Sequence, residues 1–488
     1  MRATARPDAP PTVPRTARAA ARGPASAPQP PPPGGDGPGG RSADGDRITA
    51  VRLHTVPVTP RTTWLLAEAR GADGTTGWGE LSDLPCGDPA ALLAELAAQV
   101  TGVPWAEAVV WLDTYGQHWA SAPPTRQARL ARRTALGGLA TAVADAAARR
   151  AGLTLGDWTL RADTAVPAAA SSPDSAASPA STRTPAPTAI PTPAPTATQT
   201  PTPAPAAPLP LSAPAVEPVV EPASASAGEP RSVPLYANIN RAMAARTPEA
   251  AAQVAARAVA AGFRAVKCAP FDGLPARDRL AAGLDIARAV RDTVGDGTDL
   301  LLDAHHLVTV ADVLARAEDF TALRLGWLED AARLDDVTGL RRLRDALGIP
   351  LAGGEFAGTA REVLPALRSG ALDVLMPDVK HAGGPLPALR LARLARDHGA
   401  GVSFHNPSGP VATAATAHLT ALTGSGLPLE VMFGEADWRP GWSSPPEPLA
   451  AGRYTLPPGP GSGLVPDGAR PTPAPAPAAR TQTQTETR

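Results

Sequence analysis

Charged side chains recur at nearly equal intervals along the second half of the chain, each at the end of a short apolar run. The positions are Asp303, Glu329, Glu355, Asp378, His405 and Glu430, and the intervals between them are 26, 26, 23, 27 and 25 residues. A strand and its following helix in a (β/α)₈ barrel take about this length, since the whole barrel takes ~250 residues. The spacing therefore predicts that each residue lies where a strand of a parallel barrel ends.

Strand-like runs alternate with amphipathic helical patterns between residues 233 and 430. Eight such runs can be counted, and the apolar residues between them repeat every three or four positions, as in helices. The runs are VPLYANIN, FRAVKCAP, DLLLDAHH, LGWLED, IPLAGGE, LDVLMPD, GVSFHN and LPLEVMF, and helices are predicted over residues 247–261, 276–293, 309–319, 336–346, 359–369, 385–397 and 411–421. This alternation predicts an α/β fold, a (β/α)₈ barrel of the TIM type.

The segment before the barrel predicts a separate domain. Residues 46–84 have the alternation of an antiparallel meander, with Asp73 and Gly74 in a turn. From residue 89 to about 153 the apolar residues repeat at helical spacing. We therefore predict an α+β domain over residues 46–163 and the barrel over residues 231–467.

Proline marks three segments that we do not expect to fold. Residues 1–45, 164–230 and 468–488 hold 32 of the 59 prolines of the chain. Units such as TPAPTA predict an extended, polyproline-like chain with no core of its own. We predict disorder in both tails and in the insertion. The remaining 355 residues are enough to bury a large core.

Charge, hydropathy and cysteine content exclude several classes of protein. A formal net charge of -1 without a basic block argues against nucleic-acid binding. No apolar run approaches the ~18 to 20 residues that cross a bilayer, so we expect no membrane association. Two cysteines, Cys86 and Cys268, cannot build a disulfide framework, and no apolar segment follows the N-terminal arginines. We expect a cytoplasmic protein.

Three carboxylates on successive strands, Asp303, Glu329 and Glu355, are expected to converge on one axis. A set of oxygen ligands without cysteine favours a hard cation, Mg²⁺ above all. The alternative is that each carboxylate caps the helix that follows it. Three acids in order at nearly equal spacing favour the metal site.

Side-chain alternation along the strands sorts the neighbouring residues. Residues i and i+2 share a face, so His305 is expected to point toward the axis with Asp303 and His306 away from it, provided that the strand stays extended. By the same rule Lys267 faces the axis, while Cys268 faces the helices as a packing residue rather than a nucleophile.

Two strand-end residues predict a base for proton transfer. Asp378 and His405 end neighbouring strands, and an aspartate beside a histidine fixes the imidazole tautomer and raises its basicity. His381 follows the sixth strand closely enough to reach the site, and its part is left open.

Lysine and asparagine are scarce. Lys267 and Lys380 are the two lysines among 45 basic residues, and the asparagines are Asn238, Asn240 and Asn406. A GC-rich genome explains the scarcity but not the positions, which are strand ends. Lys380 and Asn406 are therefore candidates for substrate positioning, and a structural role is an equal alternative.

The motifs together resemble the enolase superfamily, in its mandelate racemase and muconate lactonizing enzyme branch. The segments that carry the resemblance are GWGE, VPLYAN, GFRAVKCAPF, LLLDAHH, WLED, GGE, MPDVKHAGG, SFHNPSGP and the LE at Glu430. The resemblance implies that residues 46–163 cap the barrel and that the tail through RYTLPPGPGSGL returns to this cap. It also implies that Asp303, Glu329 and Glu355 hold Mg²⁺, which binds a substrate carboxylate and stabilises the enediolate.

The sequence departs from the racemase pattern in one motif. The second strand of a racemase ends in Lys-x-Lys, whereas this chain has Lys267-Cys268-Ala269, and alanine cannot move a proton. Lys267 matches the first lysine, for which the family implies a charge contact with the substrate carboxylate or the metal site. Asp303-Ala304-His305 resembles the acid-sugar dehydratases, in which this histidine protonates the departing β-hydroxyl.

The prediction is therefore a Mg²⁺-dependent dehydratase of an acid sugar, a small-molecule carboxylate. His405 with Asp378 removes the α-proton, His305 is the acid, and Glu430 bonds the substrate carboxylate. Arg61, in a short loop of the cap, is the candidate for meeting a polar substrate. The resemblance also favours a homo-oligomer. The alternatives are a racemase or epimerase, a cycloisomerase of the same superfamily, and a non-catalytic scaffold barrel.

Overall fold

The computed structural model describes residues 43–165 and 231–467. The segments 1–45, 164–230 and 468–488, for which disorder is predicted, lie outside the described residues except at their edges. Within the described residues, no helix has the length and apolar character needed to cross a membrane.

An antiparallel meander begins the described chain. Its strands are β1 (Ile48–Thr59), β2 (Thr62–Gly71) and β3 (Thr76–Glu80), in the order β1-β2-β3. Thr59 faces Thr62 across the first turn, and Leu66 faces Glu80 between β2 and β3. The predicted turn after β2 contains Gly74 at a φ of 81°, which favours glycine. The meander is present as predicted.

Five helices complete this first domain. They are α1 (Pro89–Val100), α2 (Trp105–Asp113), α3 (Tyr115–Ser121), α4 (Arg126–Arg150) and α5 (Leu155–Ala165). Side chains at Asp88 and Thr125 accept backbone N–H bonds at the starts of α1 and α4, as N-cap residues do. Helix α4 is buried along most of its length and packs against β3.

Eight strands form the parallel sheet of the second domain. They are β4 (Ser232–Asn238), β5 (Ala265–Cys268), β6 (Asp299–Asp303), β7 (Leu325–Glu329), β8 (Leu351–Gly353), β9 (Val374–Leu375), β10 (Gly401–Val402) and β11 (Leu429–Met432). Consecutive strands from β4 to β10 pair in parallel, and β11 pairs with β4.

The last gap in this sheet, between β10 and β11, has no strand ladder among the described residues. The Glu430 N–H donates to the Phe404 carbonyl at 3.4 Å, and the Ser403 hydroxyl donates to the Pro428 carbonyl at 2.7 Å. The parallel α/β architecture is as predicted. The sheet is barrel-like, and complete closure by strand pairing is not observed.

The helices of this domain follow their strands in alternation. They are α6 (Pro248–Ala260), α7 (Arg279–Val294), α8 (Val310–Ala315), α9 (Ala317–Ala322), α10 (Val337–Leu347), α11 (Ala360–Arg368), α12 (Pro385–Asp397) and α13 (Pro410–Thr423). The helix predicted over residues 309–319 is instead two short helices, because the backbone leaves helical geometry at Arg316, where φ is -124°.

The C-terminal segment runs back across both domains. It contains β12 (Ser443–Ser444), β13 (Leu449–Ala450), β14 (Arg453–Thr455) and β15 (Val465–Pro466). Strand β14 pairs antiparallel with β4, and the Ser462 N–H donates to Asp145 of α4 at 2.6 Å. The segment thus connects the first domain to the sheet.

Large side chains fill the inside of the sheet beneath its carboxyl edge. Tyr236, Leu301, Trp327 and Met376 are buried in one cluster there. The Trp327 indole N–H donates to Glu329 at 3.2 Å. The packed interior therefore supports the strand-end side chains from below, as in other parallel barrels.

Candidate active site

Three carboxylates meet at the carboxyl edge of the sheet. Asp303 ends β6, Glu329 ends β7 and Glu355 follows β8 by two residues, and all three are buried. One oxygen of each lies within 4.8 Å of the others. We call this group the carboxylate triad. The structure therefore brings together the three residues that the spacing predicts to converge.

The triad has the chemistry of a hard-cation site. Asp303 Oδ2 and Glu355 Oε2 are buried oxygens whose close contacts are with titratable groups, the imidazoles of His305 and His405 and, for Asp303, Lys267. Burial, together with the neighbouring Asp303, raises the pKa of Glu329 to about 8. Crowded carboxylates that resist ionisation are those that a divalent cation stabilises, and the all-oxygen set fits Mg²⁺.

Lys267 lies against the triad from below. Its Nζ is 2.8 Å from Glu329, 3.1 Å from Glu430 and 3.3 Å from Asp303. Burial lowers the pKa of Lys267, but these carboxylates outweigh burial and hold the pKa well above its usual value. One ammonium cannot match four carboxylates, so a cation on the triad would stabilise their ionised forms.

Glu430 is fixed by two asparagines. Asn238 donates through Nδ2 to Glu430 Oε1 at 2.6 Å, and the Asn406 backbone N–H donates to Oε2 at 2.8 Å. The Asn406 side chain donates to the Glu430 carbonyl and to Thr413. Asn406 therefore supports Glu430, and its contacts are those of a structural residue.

His405 and Asp378 are in contact next to the triad. His405 Nδ1 lies 2.9 Å from Asp378 Oδ2, and Nε2 lies 3.1 Å from Glu355 Oε2. Burial lowers the pKa of His405, but Glu355, Glu430 and Asp378 outweigh it and raise the pKa to about 9. The contribution of Glu355 requires a free carboxylate, so a cation on the triad would remove it.

Lys380 lies on the other side of Asp378. Its Nζ is 3.1 Å from Asp378 Oδ2 and also contacts the Ser408 hydroxyl and, at 3.8 Å, Asp83. The Lys380 side chain is 1% exposed. This lysine therefore contacts the carboxylate that orients His405.

His381 completes a second group that has the composition of a metal site. Ligand atoms of Asp378, His381 and His405 lie within 4.8 Å of one another. Lys380 already matches the one carboxylate of this group, whereas the triad has three carboxylates, so the triad is the better cation site. Burial lowers the pKa of His381 to about 4, and its Nδ1 lies 2.9 Å from the Thr134 hydroxyl.

His305 lies at the opposite end of the triad from His405. Its Nε2 is 2.9 Å from Asp303 Oδ2, and its Nδ1 is 2.8 Å from Asp272 Oδ1. Burial lowers the pKa of His305, but Asp303 and Asp272 outweigh it and hold the pKa well above its usual value. The contribution of Asp303, like that of Glu355 to His405, requires a free carboxylate, so a cation on the triad would remove it and leave that of Asp272.

The alternation rule does not hold beyond Asp303. The strand ends there, and His305 and His306 have φ angles of 44° and 52°, in the left-handed region. The expectation that His306 turns away is based on an extended backbone, which these angles do not give. His306 Nε2 lies 3.2 Å from Asp330, so this histidine contacts the residue that follows Glu329.

The structure also places Arg61 and Cys268. Arg61 lies exposed in the turn between β1 and β2, and among the described residues its side chain makes no contact with the other predicted site residues. Cys268 is buried in the main core, and burial raises the pKa of its thiol to about 12. The thiol is thus protonated and packed, as expected.

Sequence reasoning missed Asp272 and Asp330. Asp272 follows β5 by four residues and Asp330 follows β7 directly, so both carry the strand-end pattern that identified the other acids. It also missed Arg126, Arg129 and Arg133, which come from the first domain. No pattern in the barrel sequence points to them.

The fold and the site define a class of protein. An eight-stranded barrel-like α/β domain carries a carboxylate triad, a lysine and two histidines at the carboxyl edge of its sheet, and an α+β domain contacts that edge. Residues 249–470 match the family described as Enolase C-terminal domain-like.

Relatives and solved structures agree with this match. The chain is 31% identical over 227 residues to D-gluconate dehydratase of Thermoproteus tenax, covering 45% of each chain. It is 30% identical over 196 residues to D-galactarolactone cycloisomerase of Agrobacterium fabrum, covering 37% of this chain and 50% of the relative. The chain thus spans about half the length of each relative.

The fold comparison covers more of the chain. A mandelate racemase/muconate lactonizing enzyme from Sulfitobacter sp. superimposes with a TM-score of 0.63 at 21% identity, over 86% of this chain and 93% of that one. A member of the enolase superfamily from Salmonella Typhimurium gives 0.63 at 18% identity, over 86% and 96%. The chain therefore has the fold of these solved structures, and its second domain matches the Enolase C-terminal domain-like family.

Proposed function

We propose that the protein is a Mg²⁺-dependent dehydratase of an acid sugar, which removes the proton α to the carboxylate and eliminates the β-hydroxyl. The observation that carries the proposal is the pair of histidines at opposite ends of the triad, His405 beside Glu355 and His305 beside Asp303. Dehydration requires such a pair, because one group takes a proton from carbon while another gives a proton to the leaving oxygen.

The carboxylate triad is proposed to hold the metal. Asp303, Glu329 and Glu355 would bind Mg²⁺, which supplies positive charge where the substrate carboxylate gains negative charge. Lys267 and Glu430 lie beside the triad and would contact or orient the same carboxylate.

His405 is proposed as the base. Asp378 engages Nδ1, which leaves Nε2 facing the triad as the atom that takes the α-proton. The electron pair left on the α-carbon is first delocalised toward the carboxylate. It then forms the double bond as the β-carbon–oxygen bond breaks.

His305 is proposed as the acid. Its proton passes to the departing hydroxyl, which leaves as water, and the enol that remains tautomerises to a 2-keto-3-deoxy acid. Asp272 contacts Nδ1 and would orient this imidazole, with Nε2 facing the triad.

A cycloisomerase of the same superfamily is the second candidate. D-galactarolactone cycloisomerase is among the relatives, and such a reaction can use the same base without loss of water. A racemase is less well supported, because Ala269 takes the place of the second lysine of that motif.

The experiment that separates these functions is a screen of the full chain with Mg²⁺ against aldonic and aldaric acids. Semicarbazide detects the α-keto acid, and nuclear magnetic resonance in D₂O detects exchange of the α-proton. A dehydratase gives a keto acid from at least one acid in the panel. Deuterium at the α-carbon with no keto acid from any substrate would reject the dehydratase in favour of an isomerase.

Two variants assign the histidines. His405→Asn is expected to lose both exchange and keto-acid formation, by a factor of about 10³ or more. His305→Asn is expected to lose keto-acid formation while α-proton exchange continues. His398→Asn, at the exposed end of α12, is the control and should retain full activity. Unchanged activity in His405→Asn would contradict the mechanism.

A further inference from the structure

A cavity of about 270 Å³ lies between the start of α4 and the loops that follow β6, β7 and β8. This volume is near the lower end of the ~300–1,000 Å³ range of small-molecule sites. The residues that line it on the barrel side include His306, Asp330 and Glu355. Glu355 also belongs to the triad, so the cavity adjoins the proposed metal site.

Five arginines line this cavity, and three of them lack an acidic partner. Arg133 is paired with Glu362 at 2.7 Å, and Arg333 is paired with Asp335. The other three are Arg126, Arg129 and Arg361. Over residues 43–165 and 231–467, none of these three has a carboxylate within ion-pair distance. Asp330 and Glu355 also line the cavity, but neither is in ion-pair contact with these three arginines.

The arginines on α4 are not explained by the stability of the helix. Arg126, Arg129 and Arg133 are spaced three and four residues apart, so they share one face. Arg126 and Arg129 lie in the first turn of the helix, where the positive end of the dipole disfavours cations, and this turn contains no acid. An anion in the cavity would interact favourably with both the arginines and the dipole.

Arg133 provides a second, independent observation. Its side chain is only 7% exposed, yet its Nε is a buried donor without a hydrogen-bond partner. Two other atoms of the guanidinium are held by Glu362 and by the Phe356 carbonyl at 3.0 Å. The guanidinium is thus fixed at the wall of the cavity with one buried N–H still to be satisfied.

We propose that this cavity binds a second anionic group of the substrate, remote from the carboxylate at the triad. This rests on the proposed function and deepens it: the substrate is an acid sugar with negative charge at both ends. Guanidinium groups bind both carboxylate and phosphate, so the second anionic group is either a distal carboxylate, as in an aldarate, or a distal phosphate.

The test compares substrates that differ in the far group. Galactonate, galactarate, gluconate, glucarate and 6-phosphogluconate are assayed with the full chain and Mg²⁺. For a dianion, we expect kcat/KM at least tenfold above that of the matched monoanion. The Arg126→Ala/Arg361→Ala double variant is expected to lose this preference while its kcat/KM for the monoanion stays within twofold of wild type. A preference confined to 6-phosphogluconate identifies phosphate as the group, and a preference for the aldarates identifies carboxylate.

Arg277→Ala is the matched control, because that arginine is 86% exposed and does not line the cavity. It should retain the preference. Equal kcat/KM for monoanions and dianions in the wild type, or an equal loss for both in the double variant, would overturn the proposal while leaving the dehydratase intact.

Calorimetric binding separates the two proposals if no acid is turned over. In that case, galactarate or 6-phosphogluconate is titrated into the Mg²⁺-loaded protein beside its monoanionic counterpart. If the wild type binds the dianion more tightly and the double variant does not, the anion-binding cavity is supported even though the dehydratase proposal is not. No difference between dianion and monoanion overturns the cavity proposal.

Discussion

Both lysines of the chain are buried against carboxylates at the edge of the sheet. Lys267 contacts Glu329, and Lys380 contacts Asp378. A buried ammonium is a compact point charge, whereas a guanidinium in the same space would need a fork of acceptors. In a chain with 45 Lys and Arg residues, this size requirement explains why these two positions are not arginine.

Removing Lys380 should leave Asp378 as a poorly compensated buried charge. We expect Lys380→Met to lower the free energy of unfolding by about 3 kcal/mol, since breaking a buried pair costs more than the pair contributes. Urea denaturation measures the change. The Lys380→Met/Asp378→Asn double variant should be more stable than Lys380→Met alone. If it is less stable, the Lys380–Asp378 contact is not what holds this lysine in place.

His381 should make stability depend on pH. Burial lowers its pKa to about 4. At a pH between 4 and the usual histidine pKa, the unfolded chain therefore binds a proton at this residue and the folded chain does not. The free energy of unfolding is therefore unaffected by His381 above pH 6.5 and decreases as the pH falls toward 4, by up to roughly 3 kcal/mol. Urea denaturation at pH 7, 6 and 5 should show a steeper loss in the wild type than in His381→Gln. Identical pH profiles would contradict this assignment.

Helix α4 performs two tasks at the scale of a single element. Its middle packs against β3 through small residues, and its first turns present arginines to the cavity near Glu355. A Cβ on Gly79 would lie 2.0 Å from the Gly138 carbonyl, so the strand and the helix are in backbone contact. The close approach fixes the position of the whole helix, including its N-terminus.

A methyl group at this contact should be costly. Gly79→Ala is expected to destabilise the protein by about 3 kcal/mol, at the upper end of overpacking effects, because the obstacle is backbone that cannot rotate away. Gly297→Ala, where nothing lies within 4 Å of the added Cβ, is the control and should change stability by less than about 1 kcal/mol. Thermal or urea unfolding measures both. Equal small effects would show that β3 and α4 separate easily.

The two domains are joined at a buried carboxylate next to the site. Glu80, at the end of β3, accepts N–H bonds from Gly409 at 2.8 Å and Ala412 at 3.0 Å. Both donors lie at the start of α13, in the segment that follows His405. The first domain therefore holds the loop after the proposed base, and the site depends on the docking of both domains.

Replacing this carboxylate should affect stability and activity together. In Glu80→Gln the amide NH₂ of the new side chain faces a backbone donor, so one bond is lost and one N–H stays unsatisfied. We expect a loss of about 2 kcal/mol and a lower kcat. Glu95→Gln, at a half-exposed glutamate whose ion pair with Arg132 is 3.6 Å long, should be nearly silent. Full stability in Glu80→Gln would contradict this account of the domain junction.

The spacing of strand-end residues was enough to predict the carboxylate triad and the contact between His405 and Asp378. The carboxyl ends of parallel strands lie at one edge of the sheet, so residues about 25 positions apart become neighbours regardless of the conformation of the loops. For the same reason the eight strands and most helices of the sheet domain were predictable. The break at Arg316 and the incomplete pairing of β10 with β11 were not, because they depend on local packing.

The tertiary structure alone decided the surroundings of this edge. His305 and His306 leave the strand in left-handed geometry, so periodicity could not orient them, and Asp272 meets His305 from a different loop. The arginines of α4 reach the cavity from more than 170 residues away in the chain, through the docking of one domain on the other. The sequence by itself thus determined the site residues that lie at the ends of regularly spaced strands. Tertiary structure decided those that depend on how separate elements meet, because periodicity within an element carries no information about docking between elements.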